Sequence, residues 1–156
     1  MKGNVRMAIF NNTRMVDVTP TITAGAYSAG DVIGGLLTFD VYSAGGGGTI
    51  RRIALIDSDD EKAACKLYLF SAAPSSINDN AAFAPSAADA RKLIDVVSVA
   101  ANEYTTVNGR AYAIKRDVGI DYATADGKVY GYLVCEGTPT YGTTGDLLVR
   151  VTMWAD

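Results

Sequence analysis

Four carboxylates in five positions, Asp57, Asp59, Asp60 and Glu61, are the densest set of chemistry-bearing side chains in the sequence. Asp57, Asp59 and Glu61 fall at positions 1, 3 and 5 of an EF-hand calcium loop. The register then fails: Lys62 stands where that loop needs glycine, and Tyr68 where it needs a bidentate glutamate. The cluster reads first as a solvated hairpin tip. A carboxylate pair could also serve glycoside hydrolysis, but spacing in sequence says nothing of a cleft. No histidine occurs in the chain, which removes the commonest general base and metal ligand. Ser-His-Asp and Cys-His arrangements are therefore impossible. Cys65 and Cys135 lie outside any CxxC spacing and inside apolar runs, so buried free thiols are expected. A disulfide between them would need adjacent strands and an oxidising compartment. Gly25 and Gly30 have the spacing of half a phosphate loop, but Asp31-Val32 follows where Lys-Ser/Thr is required. Gly45–Gly48 reads as a flexible turn rather than a ligand cradle. No enzyme, no metal and no cofactor are expected.

Recognition is the chemistry that remains. Arg51 and Arg52 could grip a partner carboxylate bidentately, or could face solvent at a bulge. Nine tyrosines interleave with Leu and Val at strand spacing, and Tyr130, Tyr132 and Trp154 are expected in packing or at an interface. Arg6 and Phe10 sit in a segment, Met1–Arg14, that differs in character from the rest. It reads either as a fraying tail or as an arm that orders on a neighbouring subunit. A sugar-binding alternative would need an exposed aromatic pair beside polar acceptors, with Tyr104 and Tyr141 the nearest candidates.

The elements that would position these groups are strands. Period-2 alternation and turn residues mark about eight. They are Met15–Thr23, Asp31–Phe39, Thr49–Ile56, Ala64–Phe70, Ile94–Val99, Arg110–Lys115, Lys128–Cys135 and Leu147–Trp154. Pro20 demotes the first to an edge. The run Ile50-Arg51-Arg52-Ile53 breaks alternation and predicts a bulge at Arg51 or Arg52. Asn108-Gly109 and Asp126-Gly127 suit turn positions with positive φ. A short helix over Ser86–Lys92, with Ser86 as N-cap and Asp89 at N3, interrupts the long crossover Ser71–Lys92. The pattern predicts an all-β fold: a jelly roll or β-sandwich of about eight antiparallel strands over residues 15–156, preceded by an N-terminal arm over 1–14. Tyr68, Phe70, Tyr130, Tyr132 and Trp154 make several strands apolar on both faces. A lone sandwich should show water a polar face, so another chain is expected to cover part of this one.

The chain has 156 residues, 49% hydrophobic and 20% charged, with formal net charge −3. That length suits one domain with a self-sufficient core. The acidic balance argues against a nucleic-acid partner, and no apolar run is long enough to span a membrane.

Several stretches together resemble a known family. They are Thr19–Gly35, the glycine-rich turn with Ile50-Arg51-Arg52-Ile53, Leu67–Pro74, Asn78–Ser86, Tyr130–Val134 and Gly137–Tyr141. The chain is similar over about Val16–Met153 to small virion proteins of tailed phages and prophages. The characterised ones are head decoration, or cement, proteins with a jelly-roll fold. The resemblance implies a structural virion protein on the capsid exterior, made in the host cytoplasm. It also implies binding to the major capsid protein and to itself, as a homodimer or homotrimer. The shared motifs are structural signatures and carry no catalytic residue.

Overall fold

The computed structural model describes residues 12–23, 25–41 and 46–155. Chain order gives β1 (Thr13–Val18), β2 (Gly25–Ala26), β3 (Val32–Asp40), β4 (Gly47–Asp57), β5 (Cys65–Phe70), α1 (Ala87–Ala90), β6 (Leu93–Val99), β7 (Thr105–Val107), β8 (Arg110–Ala123), β9 (Lys128–Cys135), β10 (Thr140–Tyr141) and β11 (Leu147–Ala155). One sheet has the order β1-β11-β4-β8-β7 and the other β3-β9-β5-β6, while β10 and β2 form a small ribbon. Every pairing is antiparallel. The fold is an all-β sandwich. If only the eight strands of six or more residues are numbered, the sheets read 1-8-3-6 and 2-7-4-5.

Alternation builds the core. Ile53, Leu55, Val149 and Val151 point inward from the five-stranded sheet. They meet Ile33, Leu67, Leu69 and Leu133 from the four-stranded one, and all are essentially inaccessible to water. Cys65 and Cys135 lie directly opposite each other on β5 and β9 and are free thiols. Burial pushes the Cys65 thiol up to about 12.

The eight expected strands are all present; Lys128–Cys135 is matched end for end and the others have shifted ends. The first runs Thr13–Val18 rather than Met15–Thr23 and stops before Pro20, which cannot donate to a ladder. It is an edge strand, and Thr13 and Arg14 belong to it rather than to an arm. Residues 1–11 of the arm, including Arg6 and Phe10, lie outside the described residues. The sixth expected strand continues past Lys115 to Ala123, because Asp117 (φ 54°) and Gly119 (φ 60°) take up a kink without ending the pairing with β4. The helix is the single turn Ala87–Ala90, capped by Ser86, whose Oγ accepts the Asp89 N–H at 3.1 Å.

The outer face of the four-stranded sheet departs from expectation. It carries Val32, Phe70, Tyr130, Tyr132 and Val134, and these form a second buried cluster beneath Ile77 and Phe83. The cover is the crossover of the chain itself. Phe83 lies 4.4 Å from Tyr68 and 5.7 Å from Tyr132 between ring centroids. Tyr132 Oη donates to the Ser75 carbonyl at 2.7 Å and accepts the Ile77 N–H at 3.0 Å. Backbone bonds from Val32 to Ala81, from Asn80 to Val32 and from Phe83 to Gly30 zip the crossover to the start of β3. Asp79 fastens it further. Its Oδ1 accepts Tyr27 Oη at 2.7 Å and the Gly34 N–H at 2.6 Å, and its Oδ2 accepts the N–H and hydroxyl of Thr23. Burial raises the Asp79 carboxyl, but these donors outweigh it and hold it below the usual carboxylate range.

Candidate docking face

Residues of the five-stranded sheet that alternate with core positions point away from the sandwich, and among the described residues no layer covers them. Met15, Ile114, Val107 and Trp154 are exposed there, Trp154 by 52%. The register sets out the face in rows. Met15 lies opposite Thr152, Thr152 opposite Arg52, and Arg52 opposite Arg116. In one flanking row Thr13, Trp154, Thr49 and Asp121 follow one another across the same strands. In the other, Asp17, Arg150, Ala54 and Ile114 do.

The bulge expected at Arg51 or Arg52 is present. β4 loses register with β8 between Ile50 and Arg52, and β11 loses register with β4 between Thr152 and Met153. The extra residue places two consecutive arginines on the outer side, where strict alternation would bury one of them. Arg51 lies over the Trp154 ring, with its guanidinium carbon 4.2 Å from the centroid. That is cation–π distance and holds the aromatic upright. The other end of the Arg51 fork reaches Asp117 Oδ1 at only 3.4 Å. Arg150 instead makes a two-point pair with Asp17, Nε and Nη2 each 2.7 Å from an oxygen. That hydrogen bonding lowers the Asp17 pKa and raises that of Arg150. Arg52 and Arg116 are exposed, and their side chains form no hydrogen bond or ion pair with any described residue. Between these groups runs a shallow groove of about 420 Å³, lined by Thr13, Met15, Arg51, Arg52, Arg116, Asp117, Thr152 and Trp154.

Of the residues expected to bind a partner, the fold brings Arg51, Arg52 and Trp154 into this one groove. Tyr130 and Tyr132 do not join them. They lie on the other sheet and are buried at 8% and 0% exposure, because the Ser71–Lys92 crossover covers that face. Tyr130 directs its hydroxyl to Asp126 at 2.6 Å. Sequence reasoning missed Met15, Arg116 and Asp117. The parity of Tyr112 and Ile114 already points Arg116 outward, but the strand was expected to end at Lys115.

The other candidate chemistry is accounted for inside the molecule. Asp57 is no solvated tip: it is fully buried and accepts the N–H groups of Asp59 and Lys62 at 3.0 and 2.9 Å. Burial raises its pKa. Asp59 accepts the Gly142 N–H at 3.0 Å and Glu61 the Thr140 N–H at 3.1 Å, so the cluster ties the β4–β5 turn to the loop beyond β9. Among the described residues no three His, Cys, Asp or Glu side chains are grouped to hold a metal ion. The sugar-platform pair is also not presented to solvent. Tyr141 is buried, and Tyr104 is half-buried with its hydroxyl on the Ala63 carbonyl at 2.9 Å.

No family model, curated protein or solved structure matches the chain.

Proposed function

We propose that the chain is a non-catalytic head-decoration, or cement, protein of a tailed phage. In this reading it sits on the capsid exterior and binds the major capsid protein through the open face of its five-stranded sheet. The observation that carries the reading is the asymmetry of the sandwich. One sheet is covered on both sides by its own chain. The other displays Trp154, Met15 and a group of arginines, the side-chain types that anchor protein interfaces. The strand order 1-8-3-6 over 2-7-4-5 is the one a jelly roll would have, and it agrees with the family resemblance. The net charge of −3 favours a protein surface over a phosphate backbone.

The work of such a protein is differential binding. It engages the expanded lattice and not the dissociated subunits, so mass action favours the assembled shell. Self-association as a homodimer or homotrimer would multiply modest contacts over many copies. Co-sedimentation with expanded, undecorated heads of a phage that encodes the chain tests this. The chain is expected to pellet with the heads, and Trp154→Ala to pellet poorly while melting like the parent. Wild-type chain that stays in the supernatant at saturating concentration would sink the proposal.

A further inference from the structure

Arg52 and Arg116 face each other across the β4–β8 ladder, next to Arg51, and Asp117 is the single carboxylate lining the groove. Like charges directly opposite on one sheet face are destabilising, and neither arginine has a described partner that relieves the repulsion. We infer that this groove is completed by an acidic segment of another polypeptide, whose carboxylates lie between Arg52 and Arg116 while its apolar side chains pack on Met15 and Trp154. The inference rests on the open sheet face being the docking face.

Charge complementarity identifies the occupant. Three guanidinium groups against one carboxylate leave the groove two positive charges in surplus, on a chain of net charge −3. Planar forks suit carboxylates point for point. A nucleic acid would need a basic track that continues along the surface. Here the flanking rows add no surplus positive charge, since Asp17 pairs with Arg150 in one and Asp121 stands in the other, so the basic patch does not continue. Arg51 is already committed to the Trp154 ring, so it orients the aromatic wall and leaves Arg52 and Arg116 to take the ligand.

Trp154 is the only tryptophan of the chain, so its emission reports on the groove without a label. Blocked hexaglutamate, titrated at low salt into the full chain, is expected to change that emission saturably, whereas hexaglutamine does not. Arg52→Glu is expected to weaken hexaglutamate binding by roughly tenfold or more. It should also raise Tm by about 1–3 °C, because it turns a repulsive cross-strand pair into an attractive one. A gain in stability with a loss of binding is not what a merely structural arginine would give. Unchanged binding by Arg52→Glu, or an equal response to hexaglutamine, would overturn the inference. So would tighter binding of hexathymidylate, or a dimer of the free chain that dissociates on Arg52→Glu. Heads that still take up the Arg52→Glu, Arg116→Glu double variant would refute the groove and leave decoration standing. Hexaglutamate binding without head binding would refute decoration and leave the groove standing.

Discussion

Tyr132 and Trp154 look alike in the sequence, each an aromatic residue on the second face of an alternating strand, yet their roles diverge. Trp154 stands half in water with Arg51 against its ring. Tyr132 is sealed, and its hydroxyl bridges Ser75 and Ile77 of the crossover. The alternation reveals that a face is apolar but not what covers it, because the covering segment is irregular and has no period to read. Arg51 and Arg52 were legible for the opposite reason: two charges in succession break the period, and the break marks the bulge. At this scale Tyr132→Phe is expected to cost about 1–3 kcal/mol, since it removes two hydrogen bonds that tie the crossover to β9. Urea unfolding measures the loss. Protease cleavage confined to residues 71–85 should quicken in parallel, and an unchanged cleavage rate would mean that the hydroxyl does not fasten the crossover.

Gly34 shows what the elements require of one another. β3 breaks its pairing with β9 between Ile33 and Leu37, and Gly34 there adopts φ of +78°. A Cβ at that position would come within 2.2 Å of Pro20 Cβ, so the segment after β1 packs directly on the backbone of β3. The same N–H is held by Asp79 of the crossover. Three segments distant in sequence thus converge on one peptide. Gly34→Ala is expected to cost at least about 2 kcal/mol from the left-handed conformation, with the clash in addition. Chemical denaturation checks it, and a variant as stable as the parent would contradict the close approach. The Gly34-Gly35 pair was visible in the sequence, but its partners were not, because neither Pro20 nor Asp79 lies on a periodic element. The eight strands themselves were legible, since each has one face in the common core. The two-residue β2 and β10 are too short to show a period.

Across the whole molecule the charges make the fold sensitive to acid. Lys92 lowers the Asp89 carboxyl, Arg150 that of Asp17 and Tyr130 that of Asp126. The N–H groups of Ala100 and Thr143 do the same for Glu103 and Asp146. A carboxyl with a depressed folded pKa contributes stability that is present above its unfolded value, near 4, and lost as pH falls through the folded one. Asp57, raised by burial, is the one carboxyl among the described residues that acts in the opposite sense. The midpoint of urea unfolding is therefore expected to fall steeply below about pH 4, and a midpoint unchanged down to pH 3 would contradict the assigned directions. Cys65 and Cys135, paired across two central strands and shut away from water, have a further use. A thiol reagent can reach them only when the paired ends of those strands open. The rate at which the native protein is alkylated is therefore a clock for fraying at that end of the four-stranded sheet, and a bound partner that slows the clock would disclose that its grip reaches across the sandwich.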